Sequence, residues 1–188
     1  MSDVRPPREK KRKGLVIVFT GDGKGKSTAA IGMALRATGH HMRVHVIQFI
    51  KGRWKSGEVE AAKRLLPDLT IERAGLGFTI ERLRDPRIPM DDHRAAAQAG
   101  IVEAREAVAS GGYAIVVLDE ILGAIAAGLV TLEQVVSLVD AKPPGLHLVL
   151  TGRNAPPQIV ERADLVTEMR LVKHPYEQGI VAQRGVEF

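Results

Sequence analysis

Residues 21–28 read Gly-Asp-Gly-Lys-Gly-Lys-Ser-Thr, an order of types suited to holding a polyphosphate. Gly21, Gly23 and Gly25 let the backbone take positive φ and turn its N–H groups inward around phosphate oxygens. A strand-like apolar run, Leu15 to Thr20, enters the loop and a helical pattern leaves it. The helix N-terminus therefore adds its partial positive charge to the same place. Lys26 offers a point charge between phosphates, and the Ser27 hydroxyl is placed to ligate an accompanying Mg²⁺. Asp22, Lys24 and Thr28 complete the candidate phosphate-binding set. The fit to G-x-x-x-x-G-K-[ST] is incomplete, because Thr20 stands at the first glycine and the glycine-to-glycine loop is one residue short. A glycine-rich surface turn would share the composition but not the flanking strand and helix.

A second place for chemistry is Asp119-Glu120, at the end of the apolar run Tyr113 to Leu118. An unpaired charge beside a buried strand is costly to desolvate, and a metal ion offsets that cost. The plainer alternative is an acidic cap on a following helix. Loop and acids together describe an α/β domain that binds a Mg·nucleotide. They leave kinase, motor ATPase and switch GTPase chemistry equally open.

The elements that must position these residues alternate. Strands are expected at 15–20, 43–49, 69–73, 113–118, 146–150 and 165–170. Helices are expected at 26–38, 58–66 and 90–110, from Thr131 to about Pro143, and as a turn or two over 158–163. In the first, Ile31, Leu35 and Thr38 share a face and Gly39 is the stop; Thr131 has Gln134 placed for a capping box. Residues 74–89 read as a loop. Buried-type strands alternating with helices mean a parallel sheet covered on both faces, with ligands bound beyond the carboxyl ends of the strands. The chemistry is expected after Thr20, Phe49, Leu118 and Leu150.

Length and composition narrow the field. The 188 residues suit one domain, and with no cysteines there is no disulfide framework, thiolate metal site or cysteine nucleophile. No apolar run is long enough to span a bilayer, so a cytoplasmic protein is expected. Six of the bases behind the net charge of +5 lie in residues 1–13, read as a basic, flexible arm, while residues 14–188 form a nearly neutral single domain. With aromatics at 4%, there is little to stack on bases, and nucleic acid is not the expected partner. The histidines show no metal-ligand spacing; His45 and His147 read as packing residues.

Several segments together resemble the P-loop corrinoid adenosyltransferases: IVFTGDGKGKSTAAIGMALRATGH (17–40), VIQFIKG (46–52), GFT (77–79), VVLDE (116–120), LTGRNAP (150–156) and ADLVTEMRLVKHPYEQGIVAQRGVEF (163–188). The short phosphate loop is normal for that family. The resemblance implies a P-loop NTPase-like, RecA-like fold. It implies transfer of the 5′-deoxyadenosyl group of ATP to the cobalt of a reduced corrinoid, with triphosphate leaving. Cobalt(I) is itself the nucleophile, so the protein has only to align two substrates and neutralise the leaving group. On the family pattern, Gly21, Gly23, Lys24, Gly25, Lys26 and Ser27 hold the triphosphate. Ser27 and Glu120 ligate Mg²⁺ with Asp119 behind them, and Lys26 and Glu120 carry the catalytic charge.

Lys51 and Arg153 fall at the edge that contacts nucleotide or corrinoid, Arg153 assigned to ATP and Lys51 to the corrinoid. Phe78 matches the first of the family's corrinoid-side aromatics, which displace the lower axial ligand of cobalt(II) and ease its reduction. The second, usually Trp, is Ile80 here. Ile121-Leu122-Gly123 also departs from the family, where a polar or aromatic residue is more usual. His174 belongs to the C-terminal signature as a structural or site-lining residue. A reductase and a homodimer are implied as partners. Two other functions stay in view: a RecA-like P-loop ATPase, and a nucleotide-dependent corrinoid-binding protein without transferase activity.

Overall fold

The computed structural model describes residues 13–52, 56–79 and 85–187. Its elements are β1 (Val16–Thr20), α1 (Lys26–Thr38), β2 (Val44–Gln48), α2 (Gly57–Ala62), β3 (Leu69–Arg73), α3 (Met90–Ala109), β4 (Ile115–Asp119), α4 (Ile121–Ala126), α5 (Leu132–Asp140), β5 (His147–Thr151), α6 (Pro157–Val160) and β6 (Leu165–Glu168). A short 3₁₀ turn, Pro175–Gln178, follows, with His174 as its N-cap, accepting from the Tyr176 N–H.

The six strands form one sheet in the order β3-β2-β4-β5-β1-β6, and every pairing is parallel. β1, β2 and β4 are buried along their whole length, which is why β1 and β4 read as apolar runs up to their last residue, while β2 buries His45 and Gln48 among its apolar residues. Alternate residues feed two cores. Val16, Val18, Ile47, Phe49, Val116, Leu118, Leu148 and Leu150 pack with apolar residues of α3, α4, α5 and α6. Ile17, Phe19, Val44, Val46, Ile115, Val117 and Val149 pack under α1, joined by Ala62 of α2. The P-loop-type α/β architecture expected from the sequence is therefore present, with β5 inserted between β1 and β4.

Local details differ from the sequence reading. The packed face of α1 is Ala30, Ala34 and Ala37, whereas Leu35 is exposed. Small residues there bring the helix close to the sheet and keep the loop before it near the strand ends. α2 stops at Ala62, short of the expected Leu66, and α6 covers only Pro157–Val160. A helix absent from the expected list, α4, starts directly after the acidic pair. The Thr131–Gln134 capping box is present in both directions. His45 is buried, bonded to Thr70 and Glu103 and stacked on Tyr113, which is a packing role; the His147 ring accepts from the Leu15 N–H. Of the arm, only Lys13 is described, and it pairs with Asp164. Among the described residues no helix is long and apolar enough to cross a membrane.

Candidate functional site

Four adjacent strands, β2, β4, β5 and β1, end in a buried polar residue: Gln48, Asp119, Thr151 and Thr20. The site grows from these ends. Asp119, its side chain 1% exposed, is the hub. Its Oδ1 accepts from the Ser27 hydroxyl at 2.7 Å and from the Thr151 hydroxyl at 2.8 Å. Its Oδ2 accepts from Gln48 Nε2 at 3.2 Å and lies 3.6 Å from Lys51 Nζ. A carboxylate so occupied orients its neighbours. The Ser27 proton points to Asp119, so the hydroxyl lone pairs are left for a cation.

The loop before α1 has the backbone that its glycines were read for, with φ of 91° at Gly21 and 111° at Gly25. There is a second demand on two of them. A Cβ on Gly21 would come within 2.5 Å of the Met169 carbonyl oxygen, and one on Gly23 within 2.7 Å of the Arg170 carbonyl. The chain leaving β6 crosses the loop, and the Gly23 N–H donates to the Met169 carbonyl at 2.6 Å. Lys26, buried, donates to the carbonyls of Gly21 and Gly23 at 2.7 and 2.6 Å. Burial lowers its ammonium below the usual lysine range, opposed by the charge of Glu120. Lys24 is exposed and paired with Glu187 at 2.9 Å; Asp22 and Thr28 are exposed as well.

Thr20 has a structural role at the start of the shortened loop. Its hydroxyl, where the general pattern has a glycine, accepts from the Ala155 N–H at 3.2 Å. It thereby pins the turn after β5 to the end of β1. In that turn Gly152 has φ of 140°, and a Cβ there would meet Leu122 at 2.7 Å. Arg153 is exposed on this turn, near enough for its charge to act on both Lys26 and Glu120.

Glu120 takes a left-handed backbone, φ 60°, a conformation that costs a non-glycine residue about 1 kcal/mol or more. The Thr151 hydroxyl holds it there by accepting the Glu120 N–H at 2.8 Å. Burial, then the neighbouring Asp119, raises the Glu120 carboxyl above its ordinary value, while Lys26, Lys51 and Arg153 pull it back. Three cations are thus within electrostatic reach of one carboxylate. Gly123 leaves it room, since a Cβ there would lie 3.1 Å from Glu120 Oε2. Ile121 and Leu122, which depart from the family pattern, are core residues of α4.

Lys51 Nζ is 2.5 Å from Glu58 Oε1 of α2. Burial alone would lower this ammonium, but Asp119 and then Glu58 outweigh it and leave it raised. Glu58 is held below the usual glutamate range: burial opposes this, and the bond from Lys51 overcomes it. The segment after β3 packs on the one after β2, for a Cβ on Gly75 would lie 2.6 Å from the Phe49 carbonyl and one on Gly52 3.0 Å from Gly77 Cα. That contact sets Phe78, 40% exposed, beside the Lys51 segment. Ile80 lies outside the described residues.

The structure therefore brings Lys26, Ser27, Asp119, Glu120, Lys51 and Arg153 together. Sequence reasoning missed Gln48, Glu58, Thr151 and the role of Thr20. Three of these carried the signal that exposed Asp119, a polar residue ending a buried strand. No group of three or more His, Asp or Glu with metal-holding geometry occurs among the described residues. The available oxygens, the Ser27 hydroxyl and the Glu120 carboxylate, fit Mg²⁺, which takes few protein ligands and completes its shell with phosphate and water.

A glycine loop between strand and helix, an acid pair on a neighbouring strand and a fully parallel sheet define a P-loop-type nucleotide-binding protein. The comparisons narrow this further. Residues 12–188 match the family model for the ATP:corrinoid adenosyltransferases BtuR/CobO/CobP. The chain is 41% identical over 189 residues to the corrinoid adenosyltransferase of Pseudomonas aeruginosa, covering 99% of this chain and 89% of that protein. It is 44% identical over 181 residues to that of a Sinorhizobium species, with coverages of 94% and 81%. With corrinoid adenosyltransferase CobA of Salmonella typhimurium it shares 37% over 188 residues, with coverages of 99% and 91%. The chain belongs to the ATP:corrinoid adenosyltransferase family.

Proposed function

We propose that this protein transfers the 5′-deoxyadenosyl group of ATP to the cobalt(I) of a reduced corrinoid and releases triphosphate. The observation that carries the reading is the grouping of Lys26 inside the phosphate loop, Lys51 3.6 Å from Asp119 and Arg153 on the turn after β5, all within electrostatic reach of Glu120. Such a cluster suits a polyanion that gains charge as it departs. In the transfer, the cobalt(I) electron pair forms the Co–C5′ bond, the C5′–O bond breaks, and its electrons leave with the triphosphate. No proton need be removed, so the protein's part is alignment and charge.

The residues from Gly21 to Thr28 and Arg153 hold ATP, with Lys26 taking up charge on the leaving group. Ser27 and Glu120 hold Mg²⁺, and Asp119 orients them without binding it. When bound, the cation would supply Lewis-acid stabilisation of the triphosphate. Phe78 contacts the corrinoid, the role the family resemblance also assigns to Ile80, and Lys51 stands at the border between the substrates. A separate reductase supplies the electrons that bring cobalt to its reactive state. Residues 14–188 act as one cytoplasmic domain behind a basic arm. The exposed Leu165, Val166, Val172, Tyr176 and Val181 along β6 and the chain beyond it support a homodimer.

The test is anaerobic incubation with ATP, Mg²⁺ and chemically reduced cobalamin, read by the visible spectrum. Adenosylcobalamin bands and triphosphate, with neither ADP nor phosphate, are expected. Steady phosphate release without corrinoid would instead point to a P-loop ATPase. ATP and corrinoid binding with no adenosylation would point to a binding protein.

A further inference from the structure

Lys51 is held by more than its own strand. Its ammonium lies between two carboxylates, 2.5 Å from Glu58 and 3.6 Å from Asp119. Gln48, fully buried, shares its amide between the same two groups, at 3.2 Å to Asp119 and 3.4 Å to Glu58. A buried carboxylate and a half-buried one side by side repel, and the lysine and the amide between them make the arrangement tenable. A partly exposed ion pair contributes little net stability, because water screens its Coulomb attraction and ordering two long side chains costs entropy. What it does is fix a positive charge in space. That charge stands on the far side of Asp119 from the Ser27 hydroxyl and close enough to act on Glu120.

We propose that Glu58 and Gln48 are positioning residues that hold Lys51 as a third cation of the triphosphate pocket, beside Lys26 and Arg153. Glu58 keeps the ammonium from collapsing onto Asp119. There it would compete with the Ser27 and Gln48 hydrogen bonds and turn away from the substrate. The inference rests on the site holding a Mg·triphosphate, and it assigns Lys51 to the leaving group and not to the corrinoid.

The experiment is a double-mutant cycle on the full chain, read by calorimetry with inorganic tripolyphosphate and Mg²⁺. No corrinoid is needed, so a failure of adenosyl transfer would not confuse the result. Lys51→Ala and Glu58→Gln are each expected to weaken tripolyphosphate binding about tenfold, typical of losing or misplacing one charged contact. The double variant should bind no more weakly than Lys51→Ala alone. In turnover assays both should lower kcat and leave the KM for cobalamin unchanged, and Glu58→Asp should recover part of the loss. Losses that add in the double variant would overturn the proposal, because Glu58 would then act independently of Lys51. So would a Lys51→Ala variant that keeps its tripolyphosphate affinity and raises the corrinoid KM. Should Glu58→Gln not fold, Glu58→Ala with Lys51→Gln reads the same cycle.

Discussion

The two walls of the site are built differently. In the wall made by the loop, Asp119, Glu120 and Thr151, the side chains of Lys26, Asp119 and Thr151 are buried, and they, Ser27 and the Glu120 backbone are held by specific hydrogen bonds. The wall made by residues 74–79 rests on backbone close to backbone, with Gly52, Gly75 and Gly77 as the contact and Phe78 exposed above it. The first wall must neutralise charge to within a fraction of an ångström. The second need only present bulk to a broad, flat substrate. Rigidity is concentrated where charge develops, and the apolar wall is left open to substrate.

Substitutions separate the walls by size of effect. Lys26→Ala should reduce adenosyl transfer by about 10²–10³-fold or more, the loss typical of removing one aimed electrostatic group. A single-turnover assay with chemically reduced cobalamin checks it, and a residual rate within tenfold of the parent would deny Lys26 its role. Thr151→Val strips Asp119 of a donor and the Glu120 N–H of its acceptor. It should cost about 2–3 kcal/mol in urea denaturation, with Mg·ATP affinity falling alongside. Unchanged stability would show that neighbouring groups take over both bonds.

Glu120→Gly should move the other way in stability. It removes the left-handed strain and a buried charge, and is expected to gain about 1 kcal/mol while transfer collapses. The pH dependence follows from the raised Glu120 carboxyl. Its folded-state value lies above its unfolded value, so between the two the folded chain binds more protons. This group's contribution to stability is therefore present at low pH and declines as pH rises through the folded value. Glu120→Gln should flatten that part of the stability profile, and comparative melts from mildly acidic to neutral pH would show whether it does. On the open wall, Phe78→Ala should change stability by no more than about 0.5 kcal/mol, as for other exposed positions. It should act on the corrinoid KM, and a raised ATP KM instead would place Phe78 on the wrong wall.

Much of this was legible in the sequence. Asp119 and Glu120 stood out because two acids ended an apolar run, and the loop stood out because glycine, lysine and serine occurred at mechanistic spacing. Gln48 and Thr151 carried the same kind of signal more faintly, since Gln and Thr within strands have many ordinary explanations. α4 escaped notice because Ile121 to Ala126 is short and almost wholly apolar, without the alternation of a half-buried helix. The packed face of α1 was misleading for a related reason. Alanines mark close approach, and Leu35 drew the eye to a face that is exposed.

By itself, the sequence determined the order of the strands and of every helix but α4, the phosphate loop and its acidic partner, and the family, because each is written in residues close together along the chain. The tertiary structure alone decided that Thr20 pins the turn carrying Arg153 and that Gly21 and Gly23 are also demanded by a chain crossing from residues 169–170. It alone placed Lys51 between Glu58 and Asp119. Those relations join residues up to about 150 positions apart. They exist only once parallel strands place the ends of β2, β4, β5 and β1 side by side, where hydrogen bonds a few ångströms long can link them.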